Sequence, residues 1–107
     1  MCIRDSATAI HKLDDKDQIQ LLNQSAVACK SLEALFTPDK INVAAIGNMV
    51  PQLHLHHVAR YTTDIAWPAP VWGFAPMKAY DPTALASTVE TIKTEIQSAL
   101  DLSLIHI

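Results

Sequence analysis

From Pro51 to Tyr61 the chain reads PQLHLHHVARY, and how this stretch folds decides how the rest is read. Its residues alternate in character, the period-two pattern of a strand with two unlike faces. A strand over Gln52 to Tyr61 puts Gln52, His54, His56 and Val58 on one face and Leu53, Leu55 and His57 on the other. Residues two apart on a strand share a face at roughly 6.6 Å, so His54 and His56 can converge on one ligand. Two chemistries use such a pair. One imidazole can attack phosphorus in line while neighbouring donors hold the oxygens that gain charge. Alternatively, both imidazoles can bind zinc, iron or copper, with a third ligand from elsewhere. Alternation alone leaves both open.

Outward from this stretch, Ile41 to Ile46 (INVAAI) is a short apolar strand closed by Gly47-Asn48. The short link to the histidine strand predicts an antiparallel pair, with Pro51 tolerated at the start of the second strand. Upstream, Asp14 to Phe36 has helical spacing: Ile19, Leu22, Ala26, Cys29 and Phe36 fall on one face, joined by Leu32. Asp14 with Asp17 resembles a capping box, and Thr37-Pro38 stops the helix. Cys29 lies on the apolar stripe and reads as a buried, inert thiol. Downstream, the prolines of Trp67 to Pro76 (WPAPVWGFAP) demand a loop. Asp81-Pro82 then caps a second helix whose apolar residues are Leu85, Val89, Ile92, Ile96 and Leu100. The order helix, strand, strand, loop, helix predicts an α+β fold, an antiparallel sheet with packed helices.

Composition narrows the function classes. Half of the 107 residues are apolar and 18% are charged, which is globular rather than disordered. A formal charge of −3 argues against a nucleic-acid surface, which needs clustered Lys and Arg. No apolar run approaches the roughly 18 residues of a membrane helix, and the expected setting is soluble and cytoplasmic. Cys2 and Cys29 have no paired spacing and make neither a disulfide framework nor a zinc knuckle. The two ends are related through the genetic code. One coding of MCIRDS (Met1 to Ser6) has a reverse complement that translates as LSLIH and a codon suited to the last Ile, matching Leu102 to Ile107. Both ends therefore read as translated adapter sequence, residues 1–6 and 102–107, around an insert from a longer reading frame. Cys2 and His106 leave the list of functional candidates on that reading.

The run Gly47-Asn48-Met49-Val50-Pro51-Gln52-Leu53-His54-Leu55-His56, followed after a short spacer by Trp67-Pro68, resembles the signature of the histidine-triad (HIT) domain. In that family alternating histidines on the last strand precede a Trp-Pro loop. The likeness is to a small bacterial subgroup with PQLHxHHxxRY and AWPxPVWG. It implies hydrolysis or transfer of nucleoside monophosphate groups through a covalent nucleotidyl-histidine, without a cofactor or metal in the chemical step, commonly in a homodimer. Counted from Gly47, Gln52 falls at the first triad histidine, His54 at the nucleophile and His56 at the last. Shifting the frame by two makes His54, His56 and Val58 the triad; the first frame keeps the spacing to Gly47. Gln52 is then expected to orient the site by hydrogen bonding, and Met49 stands where many members have a hydroxyl residue. In the family, strands before the first helix supply much of the nucleoside pocket. The expectation is a truncated, C-terminal part of a HIT-like fold over residues 7–101, inactive as it stands.

Around the histidines, three residues are candidates for substrate binding. Arg60 can clamp phosphate through its guanidinium fork, although an arginine ending a strand is often a solvated charge. Trp67, like Trp72, can border a base, or else anchor the loop. Asn48 can serve the site or only the turn, and the same holds for Asn42. His57 faces the other way, where packing or a hydrogen bond is expected. The competing functions are a non-catalytic nucleotide-binding protein, suggested by Gln52 and Met49, and a metal-binding module using His54 and His56.

Overall fold

Both helices begin at a carboxylate. In the computed structural model, which describes residues 7–74 and 80–105, a 3-10 turn at Ile10–Lys12 leads into helix α1, Asp15–Phe36. The Asp14 side chain accepts the Asp17 N–H at 2.8 Å, and Asp15 and Asp17 place negative charge in the first turn, where the helix dipole favours it. Thr37 closes α1 in the left-handed region, φ 43°, its N–H bonded to the Glu33 carbonyl, and Pro38 cannot continue the helix. Helix α2, Pro82–Ile105, starts the same way: the Asp81 carboxylate accepts the Ala84 N–H at 3.1 Å, with proline at the first helical position.

Between the helices lie strands β1, Lys40–Ala44, and β2, His56–Arg60, paired antiparallel. In their register Ala44 faces His56, Asn42 faces Val58 and Lys40 faces Arg60 on one side of the sheet. Val43 faces His57 and Ile41 faces Ala59 on the other. Helix α1 packs on that second side and against α2. The first side is met by the loop after β2, through Arg60 and His56.

β2 is shorter than the alternation predicts. Gln52 to Leu55 are not in the ladder; the Leu53 N–H bonds instead to the Ala7 carbonyl at 2.9 Å. Gly47, at φ 61°, turns the chain out of β1, a conformation that costs a residue with a side chain. The connection is therefore residues 45–55 and not a tight turn.

The buried face of α1 also differs from the predicted stripe. Ile19 and Leu22 are 61% and 70% exposed. Cys29, Leu32 and Phe36 of that stripe are half-buried, as are Leu21, Ser25, Ala28 and Leu35 outside it, and Ser31 is fully buried with its hydroxyl donating to the Val27 carbonyl. Ser25 faces the sheet, where its hydroxyl meets His57 of β2, and Leu22 points away.

The α+β class is as expected. Ala7, the first described residue, is buried, and its carbonyl accepts the Leu53 N–H. The hexapeptide 1–6, Ala75 and Pro76 of the predicted loop, and His106 with Ile107 lie outside the described residues. Among those described, no helix is long and apolar enough to cross a membrane.

Candidate functional site

The site is built where the chain enters β2. His54 precedes the strand and is exposed; His56 opens the strand and is half-buried. Although they are not ladder neighbours, their rings meet edge to face, with centroids 5.0 Å apart and planes at 70°. The Trp72 ring also meets that of His56, at 5.8 Å and 67°. His54, His56 and Trp72 thus form a contiguous aromatic row.

The orientation of His54 is set by one bond. Its Nδ1 lies 2.7 Å from the main-chain carbonyl of Gln52. A carbonyl can only accept, so Nδ1 carries the proton and the neutral ring keeps its lone pair on Nε2. Beside His54 is a cavity of ≈ 210 Å³, walled by Thr8, Ile10, Ala45, Gly47 and Leu53 among others. Asn48 and Met49 follow Gly47 on an exposed bend. Met49 is 95% exposed.

His57 is on the opposite side of the sheet, as its position in the alternation requires. Its Nε2 is 2.8 Å from the Ser25 hydroxyl of α1. A larger apolar cleft of ≈ 420 Å³ opens on that side, between Ile19, Leu22 and Ser25 of α1 and Val43.

Arg60 is not a solvated charge at a strand end. It is 2% exposed, and four contacts occupy its guanidinium. Nε and Nη2 donate to the two carboxylate oxygens of Asp64 at 2.8 and 3.2 Å, Nη1 donates to Asn42 Oδ1 at 2.7 Å, and Nη2 also donates to the Ala69 carbonyl at 2.8 Å. The group lies over the Trp67 ring, 5.5 Å from its centroid. The hydrogen bond from Arg60, aided by the N–H groups of Tyr61 and Trp67, holds the Asp64 carboxyl well below the usual carboxylate range. Asp64 in turn raises the Arg60 pKa, chiefly by the same bond.

The predicted residues therefore divide into two groups. His54, His56 and the Gln52 carbonyl come together. Arg60, Trp67 and Asn42 form a separate cluster toward the other end of β2, where they hold the loop. Trp72, and not Trp67, is the tryptophan on the histidines. Asp64 was missed altogether; the clue was a carboxylate four residues after an arginine at the end of a strand, in RYTTD. Among the described residues, no three His, Cys, Asp or Glu side chains gather as a metal site would need.

The family model for the HIT domain matches residues 1–63. A histidine triad protein from Bradyrhizobium japonicum is 40% identical with a TM-score of 0.79, over 84% of this chain and 67% of its own. One from Marinobacter aquaeolei VT8 is 41% identical with a TM-score of 0.81, over 88% of this chain and 69% of its own. A histidine triad (HIT) protein from Sinorhizobium meliloti 1021 is 30% identical with a TM-score of 0.79, over 84% and 67%. Among curated proteins none matches the chain. The structural likeness spans 84–88% of this chain and 67–69% of those relatives, so the HIT-like fold runs over most of this chain, and this overturns the expectation of a merely C-terminal part of the fold.

Proposed function

The chain belongs to the HIT-domain family, and on that footing we propose that it acts on nucleoside phosphates by covalent catalysis at His54. His54 Nε2 attacks the α-phosphorus, the bond from phosphorus to the leaving group breaks, and a nucleotidyl-histidine forms. Water then cleaves the phosphorus–nitrogen bond, or another acceptor takes the nucleotidyl group. His56, with its ring against that of His54, donates to the phosphoryl oxygens or to the leaving group. The observation that carries this reading is the 2.7 Å bond from His54 Nδ1 to the Gln52 carbonyl, which leaves the lone pair on the attacking nitrogen.

Glutamine at position 52 is compatible with this role, because the orienting acceptor belongs to the main chain. The ≈ 210 Å³ cavity beside His54 is smaller than the ligand pockets of roughly 300–1,000 Å³ that enclose drug-sized molecules. It suits the nucleoside end of the substrate, leaving the phosphate outside at His54, with Asn48 on the bend available to the sugar or phosphate. The proposed assembly is a homodimer and the proposed compartment the cytoplasm.

Incubation of the chain with an adenosine phosphoramidate or a dinucleoside polyphosphate, followed by mass spectrometry, is expected to find a nucleotidyl adduct on His54. His54→Ala is expected to lose the adduct and at least about 10³-fold in turnover. Neither adduct nor turnover in the unmodified chain sinks the catalytic reading. A second reading is favoured by Gln52 and Met49, the two places where imidazole and hydroxyl are replaced: nucleotide binding without turnover. Calorimetric binding of nucleotide together with no hydrolysis would identify it.

A further inference from the structure

We propose that Arg60, buried at the end of β2, is a positioning residue for His56, acting through the loop that lays Trp72 against the His56 ring. The inference rests on the reading of His54 and His56 as the site and assigns to that site the residue that holds it.

Arg60 and His56 share one face of β2, four residues apart, which is ~13 Å along a strand. The loop after β2 leaves the Arg60 end and returns over this face to the His56 end. Three of its residues are fastened to the guanidinium: Asp64 through both carboxylate oxygens, Ala69 through its carbonyl, and Trp67 through its ring. The intervening turns are tied as well. The Ala66 N–H donates to the Asp64 carboxylate, the Trp67 N–H to the Asp64 carbonyl, and the Ala69 N–H to the Ala66 carbonyl. Ala66 is itself 5% exposed.

Only Pro70, Val71 and Trp72 remain beyond this anchor. Three residues reach at most ~10 Å, so a fixed Ala69 limits how far the Trp72 backbone can move from the place where its ring meets His56. Proline at position 70 narrows that range further by fixing its own φ. The Trp72 ring then stands edge to face on His56, and His56 on His54. The order of contact is thus Arg60, loop, Trp72, His56, His54. A lysine cannot replace the arginine, because one ammonium lacks the planar fork that meets Asp64, Asn42 and Ala69 in three directions at once.

The test needs no substrate. Ring-proton shifts of His56 are measured by histidine-selective NMR in the full chain, in Trp72→Ala and in Arg60→Lys, with circular dichroism to verify folding. Trp72→Ala is expected to displace the His56 resonances by removing the indole ring current. Arg60→Lys, still folded, is expected to produce at least half of that displacement. Wild-type His56 shifts in folded Arg60→Lys overturn the proposal. Should Arg60→Lys not fold, Asn42→Ala decides the matter, since it removes one of the four guanidinium contacts and leaves the pair with Asp64. A smaller displacement in the same direction supports the proposal, and unchanged shifts overturn it. An absent His54 adduct in the unmodified chain is a separate failure, that of the catalytic reading.

Discussion

An arginine side chain that is 2% exposed is tolerated only where charge and donors are met together, and for Arg60, Asp64 supplies the charge while Asn42 and the Ala69 carbonyl take further donors. The pH dependence follows from the direction of the shift. The folded Asp64 pKa lies below its unfolded value, chiefly through the bond from Arg60, so the carboxylate form stabilises the fold at every pH above about 4, the ordinary carboxylate range. That contribution is lost as pH falls below this range toward the folded value. Arg60 stays charged throughout, its own pKa being raised. Asp64→Asn is expected to lower the melting temperature at neutral pH and to flatten its fall between about pH 4 and pH 2. Parallel melting curves for the two proteins across that range would exclude the pair as a source of acid sensitivity.

Among the elements, α1 holds an avoidable strain at its C-terminus. Thr37 is β-branched and exposed, sits at φ 43° and ψ 56°, and precedes a proline that restricts it further. Glycine is the usual residue where a helix ends in this conformation. Thr37→Gly is expected to stabilise the chain by roughly 0.5 kcal/mol, the relief of left-handed strain exceeding the added freedom of the unfolded chain. Chemical denaturation measures it, and a loss of stability would mean that the threonine makes a compensating contact. At the other end of the same helix, Asp14 caps as its sequence position indicates. The face that α1 turns to the sheet, however, carries Ser25 against His57 of β2, a contact between residues 32 apart.

Across the molecule, large apolar side chains are unevenly covered. Leu13 is 6% exposed, with Ala7 and Ala66 its counterparts in the buried apolar set, whereas Leu22 is 70% exposed beside the apolar cleft. Stability is therefore expected to depend on the first and hardly on the second. Leu13→Ala should cost about 2–4 kcal/mol, the transfer and cavity cost of a buried leucine. Leu22→Ala should change stability by no more than about 0.5 kcal/mol. Urea titration of both variants is the check, and comparable losses would show that Leu22 is covered in solution.

Much of this architecture was legible beforehand because its causes are local. The capping carboxylates of Asp14 and Asp81, prolines at 38 and 82, and glycine at 47 act within a turn of chain, so helix ends and the break after β1 follow from neighbouring residues. The alternation over PQLHLHHVARY correctly separated His57 from His56, since period two holds wherever the backbone is extended. It overran the strand, because only a partner decides where a ladder ends, and Leu53 found Ala7 in place of β1. The histidines and their family were thus visible in the amino-acid order, while the burial of Arg60 with Asp64, the choice of Trp72 over Trp67 and the covered face of α1 were not. Those features depend on a loop and a helix meeting opposite faces of one sheet. Desolvation there acts on whichever groups the tertiary fold brings together, and chain spacing carries no record of that.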